Sequence, residues 1–223
     1  MRHALIAGGT GGIGQGIAAD LLAQGWRVTL VSRSSRAPQL EAAGADWVSA
    51  DCTQPAACAA LGLRSPVDAL IVATGGHHRV PLMEETPQGW RQASARALDP
   101  VLWLAQATLP GMIERRWGRI LSFTMAGPRA APMVSAERVA RAGLQVLMRD
   151  LAQLGAPHGV TANCLKLGFV DSGSSVAPAQ LPPIPAGRQG RVDEVVSAAR
   201  LLLSNQGAYI NGAEIPVSGG YGV

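Results

Sequence analysis

The amino-acid sequence predicts an α/β fold: a doubly wound, mostly parallel, seven-stranded sheet with helices on both faces. Two observations carry the prediction. Short apolar runs alternate with helix-length stretches along all 223 residues, and such alternation calls for parallel strands joined by crossover helices. The run over 67–73 is also apolar throughout, as a strand buried on both faces must be. No repeat or linker interrupts the pattern, and a chain of this length can bury one core, so residues 1–223 are expected to form a single domain.

The elements follow in order. A strand over 3–8 leads into a helix over 13–25, and a second strand over 27–31 into a short helix over 36–44. A short strand over 46–49, a helix over 54–62 and the buried strand over 67–73 come next. A long helical stretch over 87–116 is expected to break near Asp99-Pro100, because proline removes a backbone donor. A strand over 119–124, a helix over 133–156 and a strand over 160–165 follow. Residues 168–190, rich in Pro, Ser, Gly and Ala, read as a loop. A helix over 191–204 and a strand over 208–217 close the chain.

Composition narrows the function classes. Hydrophobic residues make up 48% and charged residues 15%, which is the balance of a globular protein. The net charge is +4, but the basic residues are nearly all scattered arginines, in no run longer than Arg115-Arg116. No basic face with interleaved aromatics forms, so a nucleic-acid partner is not expected; the excess charge helps attract an anionic cofactor. Cys52, Cys58 and Cys164 have no metal or redox-pair spacing and read as small buried hydrophobes in a reducing compartment. No metal site is expected. No signal peptide and no bilayer-length apolar run is evident, so a cytoplasmic protein without a membrane partner is expected.

Between the first strand and first helix stands Gly8-Gly9-Thr10-Gly11-Gly12-Ile13-Gly14. Glycine permits the tight turn, lets a pyrophosphate approach the backbone, and allows the helix to pack on the strand. The helix N-terminus adds free N–H groups and a positive dipole end. In this context the pattern predicts a dinucleotide-binding, Rossmann-type domain. The second strand ends in Ser32-Arg33-Ser34-Ser35-Arg36, without the acid that would accept from the ribose 2′-OH of NAD. Arg33 can pair with a 2′-phosphate and the serines can donate to it, which points to NADP(H); the other reading is a solvated basic loop.

These residues resemble the short-chain dehydrogenase/reductase family over nearly the whole chain. The Gly8–Gly14 turn resembles the family's T-G-x-x-x-G-I-G, with Ala7 in place of threonine. Ala50-Asp51-Cys52-Thr53 is similar to the adenine-contacting segment, which implies Asp51 beside the adenine amino group. Pro185-Ala186-Gly187-Arg188 and the stretch from Tyr209-Ile210-Asn211-Gly212 to Gly219-Gly220-Tyr221 are similar to the tail of the family's acyl-carrier-protein reductases. The resemblance also implies that Leu167-Gly168, where the family has Pro-Gly, flank the nicotinamide, and that Ser172 binds its carboxamide. A homodimer or homotetramer, paired through the helices near 100–116 and 133–156, is implied as well.

The catalytic pattern departs from the family. Its members use Asn, Ser, Tyr and Lys, with tyrosine as acid/base and lysine lowering its pKa and holding the ribose. Here Arg141 falls at the lysine, Glu137 at the tyrosine and Ala97 at the asparagine. The serine falls on Thr124 or Met125, depending on the direction of counting. The Asn-Asn-Ala-Gly motif reads Val72-Ala73-Thr74-Gly75. The tyrosines are Tyr209 and Tyr221 and the sole lysine is Lys166, so no Tyr-x-x-x-Lys can be written in this chain.

Several candidates remain open. Glu137 and Arg141 share a helix face; either they form a general base and an anion anchor able to hold ribose, or they form an ion pair that fills the vacated site. His77 and His78, after the central strand, are either acid/base groups or exposed loop histidines. Lys166 either serves the nicotinamide site or snorkels from a strand end. The expected function is an NADP(H)-binding oxidoreductase with a rebuilt active site acting on an unknown small molecule. The alternatives are a non-redox enzyme, such as an isomerase, dehydratase or cyclase, and a catalytically silent nucleotide-binding partner.

Overall fold

Strand β1 (His3–Ala7) is buried along its whole length in the interior of the sheet. It leads into α1 (Gly12–Ala23), β2 (Arg27–Ser32), α2 (Pro38–Ala42), β3 (Asp46–Ser49), α3 (Pro55–Arg64) and β4 (Ala69–Val72). Then come α4 (Pro87–Glu114), β5 (Gly118–Met125), α5 (Ala136–Gly155), β6 (Val160–Leu167), β7 (Val170–Asp171), β8 (Gly190–Arg191), α6 (Val192–Leu203) and β9 (Glu214–Val217). The computed structural model describes residues 1–33, 35–75, 80–127, 136–173 and 181–222.

Seven strands make one parallel sheet in the order β3-β2-β1-β4-β5-β6-β9. The chain reverses direction across the sheet between β3 and β4. The crevice this opens at the carboxyl ends of β1 and β4 is where doubly wound sheets bind their ligands. Alternate residues of each strand feed two apolar layers. Leu5, Leu70 and Ile120 pack with Leu61 of α3, Leu104 of α4 and Leu144 of α5. Ile6, Ile71 and Leu121 pack with Ile17 of α1, Leu40 of α2 and Val195 of α6. Burial on both faces is why these strands read as continuous Val/Ile/Leu/Ala runs.

Local chemistry sets the helix starts. Thr86 caps α4, its hydroxyl accepting from Gly89 N at 3.0 Å, with Pro87 in the first turn where a missing N–H costs nothing. Glu194 folds back to accept from Arg191 N at 2.7 Å at the start of α6.

Three sequence expectations are corrected. Helix α4 runs unbroken through Pro100. The proline removes one donor from the Arg96 carbonyl, and the Thr74 hydroxyl stands 3.5 Å from that oxygen, while the buried face of α4 carries the helix through. The last strand begins at Glu214 rather than at 208. Before it, asparagine side chains replace the ladder: Asn163 donates to Ile210 O at 2.7 Å and accepts from Ala213 N at 2.9 Å, and Asn211 accepts from Ala162 N at 2.8 Å. Finally, the stretch read as a loop over 168–190 contains β7 and ends on β8, and the two pair with each other.

Candidate active site

Apart from Arg141 on α5, the residues expected to hold a cofactor end or follow parallel strands at their carboxyl ends, so the fold gathers them along one edge of the sheet. Gly8, Thr10, Gly12, Ile13 and Gly14 form the β1–α1 turn and the first turn of α1. Ser32 and Arg33 end β2, Asp51 and Cys52 follow β3, Gly75 follows β4, and Gly168 and Ser172 follow β6.

The turn has the features an anion needs. Gly8 has φ +76°, a left-handed conformation, and donates to Val31 O at 2.9 Å. Helix α1 starts without a side-chain cap and with no acid in its first turn, so neither a side-chain acceptor nor a carboxylate competes for its N-terminal N–H groups. Gln15 Nε2 donates to Thr10 O at 2.7 Å and steadies the turn. A Cβ at Gly12 would meet Ser172 O at 2.2 Å. The missing side chain therefore admits this chain's own β6–β7 segment, which brings Ser172 against the turn. These residues fit a dinucleotide's pyrophosphate.

At the end of β2 the two candidates differ. Ser32 Oγ donates to Ser35 O and accepts from Trp47 Nε1 at 2.9 Å, so its one proton is placed on that carbonyl. Arg36 lies over the Trp47 ring and pairs with Glu41. Arg33 is exposed, with its carbonyl accepting from Ser49 Oγ at 2.7 Å. Across the gap, Asp51 accepts from Thr53 N at 3.0 Å and Thr53 Oγ1 at 2.8 Å. The backbone hydrogen bond from Thr53 does most to hold its carboxyl below the usual range; burial opposes, and Arg33 and Arg96 add their charge. Cys52 is buried next to Cys58, whose thiol donates to Cys52 O at 3.3 Å, and its thiol is pushed up by that neighbour and by burial.

The Glu137–Arg141 pair lies inside the protein. The side chains are 7% and 10% exposed, with Arg141 Nε donating to Glu137 Oε1 at 3.1 Å. The guanidinium also donates to Phe123 O, just ahead of Thr124 in β5, and to Thr74 O at 3.2 Å, just past β4. It lies so close to Gly75 that a Cβ there would meet Arg141 Nη2 at 2.0 Å. Arg141 thus ties α5 to the ends of two strands, and most of its donors are occupied. Ala97, at the asparagine position, is buried in α4. His77 and His78 lie outside the described residues.

Thr124 is tied to the neighbouring strands of the sheet. Its hydroxyl donates to Glu214 Oε1, on β9. Glu214 Oε2 lies 3.3 Å from Lys166 Nζ, and Gln145 of α5 also hydrogen-bonds the carboxylate. Burial pushes the Glu214 carboxyl up, but Thr124, Gln145 and Lys166 together bring it below its usual range. Cys164, beside this group, is pushed up to about 12 by burial first and by the Glu214 charge second. Sequence reasoning missed Glu214 and Gln145. The one signal was an acid at an alternate position of a strand whose neighbours, Ile215 and Val217, are apolar.

Comparisons with known proteins agree with this geometry. The family model described as "Enoyl-(Acyl carrier protein) reductase" matches residues 7–222. The chain is 30% identical to a 2,3-dihydroxy-2,3-dihydro-p-cumate dehydrogenase of Pseudomonas putida, over 97% of this chain and 93% of that protein. It is 29% identical to the 3-oxoacyl-[acyl-carrier-protein] reductase FabG of Escherichia coli (strain K12), over 98% of this chain and 96% of that one. Among solved structures, an oxidoreductase of the short-chain dehydrogenase/reductase family from Burkholderia thailandensis superposes with a TM-score of 0.86 at 30% identity, covering 98% of this chain and 92% of that chain.

Proposed function

We propose, from the premise that this chain belongs to the enoyl-(acyl carrier protein) reductase family of short-chain dehydrogenases/reductases, that it is an NADP(H)-binding oxidoreductase with a non-standard active site. What carries the reading is the buried Glu137–Arg141 pair, standing where the family keeps its tyrosine and lysine, beside a glycine turn that keeps the features of a nucleotide cradle. In this reading the turn from Gly8 to Gly14 holds the pyrophosphate, Arg33 the 2′-phosphate, Asp51 and Cys52 the adenine end, and Gly75, Gly168 and Ser172 the nicotinamide end. The bound nicotinamide supplies or accepts a hydride. An arginine stays protonated at working pH, so Arg141 does not relay a proton; Glu137, held by Arg141 and buried, is a structural partner.

The protein is further proposed to be cytoplasmic and to form a homodimer or homotetramer. Among the described residues no helix is long and apolar enough to cross a membrane. Val139, Val146 and Leu154, spaced along one stripe of α5, and Leu102 of α4 are exposed apolar side chains that suit pairing through these helices.

Nucleotide titration tests the cofactor assignment. Nucleotide fluorescence is expected to report tighter binding of NADPH than of NADH, with Arg33→Asp reversing the order. Superimposable NADPH and NADH curves in the parent protein would overturn it.

A further inference from the structure

The family's serine donates a hydrogen bond to the substrate carbonyl, and a hydroxyl has one proton to give. Of the two residues read at that position, Met125 has no proton to give and Thr124 gives its own to Glu214, whose carboxyl is held below its usual range and is therefore an acceptor at neutral pH. Thr124 is also 3% exposed. The carbonyl donor must come from elsewhere. Arg141 is bound to Glu137, Phe123 O and Thr74 O.

Among the described residues, Lys166 is a donor at this edge with capacity to spare. The register of the parallel strands sets it beside Thr124 of β5 and beside Pro216 of β9. It is the penultimate residue of β6, one position ahead of the Leu167-Gly168 turn. Its side chain is 29% exposed against 16% for Glu214, so it is the more exposed side chain of the pair. An ammonium has three N–H donors, and Glu214 Oε2 at 3.3 Å takes one. A second acceptor is thus within its capacity, at the sheet edge where doubly wound folds bind ligands.

We propose that Lys166 meets the oxygen of a carbonyl substrate and gives it a proton, with Glu214 and Thr124 positioning its ammonium. This rests on the oxidoreductase reading above. In the direction of reduction, the hydride (two electrons and one hydrogen) that NADPH loses from its nicotinamide C–H bond in becoming NADP+ reaches the carbonyl carbon, the C=O π pair moves to oxygen, and oxygen takes a proton from Nζ. The product is an alcohol, and the neutral amine regains a proton from solvent through its exposed side.

Because Lys166 is the chain's sole lysine, its reactivity can be followed alone. The intact protein is treated with limiting acetic anhydride, and the Lys166 peptide is quantified by mass, with NADP+ alone and with NADP+ plus cyclohexanone. Acetylation is expected to slow severalfold only when cyclohexanone is present. In parallel, NADPH oxidation is measured over a panel of ketones for the parent, Lys166→Met and Lys166→Arg. Arginine keeps the charge and the Glu214 partner but holds its proton. Both variants are expected to lose about 100- to 10,000-fold in rate, the usual share of a placed general acid, while binding NADPH as the parent does. Glu214→Gln is expected to lower kcat and Glu214→Asp to restore part of it. Unchanged acetylation in the ternary mixture overturns the proposal, whether or not a ketone is reduced, and so does full activity in Lys166→Arg. Failure of the parent to bind NADPH instead overturns the cofactor reading on which it rests.

Discussion

Replacing Arg141 by methionine tests whether the pair on α5 is a staple or a waiting catalytic group. The substitution keeps much of the side-chain volume and removes every donor. It takes the guanidinium away from Glu137, 7% exposed, and removes the hydrogen bonds to Thr74 O and Phe123 O. Breaking a buried ion pair by deleting one partner costs about 3–5 kcal/mol, mostly because a charge is left buried and unpaired. The two carbonyls lie at strand ends, where water can replace the lost donor, so they add little to that figure. For a chain of this size each kcal/mol moves the melting temperature by roughly 2–4 °C, so a drop on the order of 10 °C is expected. Urea unfolding at fixed protein concentration should show a lower midpoint with an unchanged slope. The double variant Glu137→Leu, Arg141→Met removes both charges and should be more stable than Arg141→Met alone. A loss below about 1 kcal/mol, the range of an exposed ion pair, would refute the reasoning, because it would mean that the guanidinium is not held inside and is free to face the cleft.

Two further outcomes follow from the geometry. Gly12→Val is expected to abolish NADPH binding in the fluorescence titration, because a Cβ would meet the Ser172 backbone oxygen at 2.2 Å and displace the segment that closes on the turn; a variant that binds as the parent does would count against that cradle. His3 is buried with Nδ1 2.8 Å from Pro66 O and Nε2 2.9 Å from Thr29 Oγ1, and burial, outweighing the Pro66 carbonyl, holds its pKa below 6.5. The folded state favours the neutral ring, so stability is complete above pH 6.5 and falls as the pH drops below it; a His3→Gln variant should show a flatter profile between pH 7 and 5 in urea titrations.

The sequence made the scaffold legible because its signals are local. Apolar continuity marked β1 and β4 as buried strands, and the Gly8–Gly14 spacing marked the turn that follows β1, since both are set by neighbours in the chain. The missing tyrosine and lysine could be read from composition alone. Signals that depend on distant partners were not legible. Helix α4 survives Pro100 through packing that periodicity does not encode, with Thr74, 22 residues away along the chain, beside the orphaned Arg96 carbonyl. The bond from Trp47 to Ser32 exists because β3 lies beside β2. The Thr124–Glu214 contact spans 90 residues and exists because β5, β6 and β9 are neighbours, an order that only the folded sheet states.

Two cation–carboxylate pairs stand at the carboxyl edge of this sheet, and their burial separates their roles. Glu137 and Arg141 are 7% and 10% exposed, and the arginine is tied to two backbone carbonyls, so moving it would break contacts on three elements. Lys166 is 29% exposed, is tied to one carboxylate, and ends a strand rather than bridging several. Chemistry needs a group that can release a proton and take it back, and arginine cannot do so while lysine can. In the proposed reading, Arg141 at the family's lysine position leaves α5 without a proton path. The cluster on β5, β6 and β9 is proposed to offer another one, in which the Thr124 hydroxyl holds a carboxylate and the carboxylate holds an ammonium. The two pairs can be separated experimentally. Arg141→Met should act on stability first, and Lys166→Arg on rate with stability kept. A rate loss of equal size in both, at equal stability, would place the chemistry back on α5.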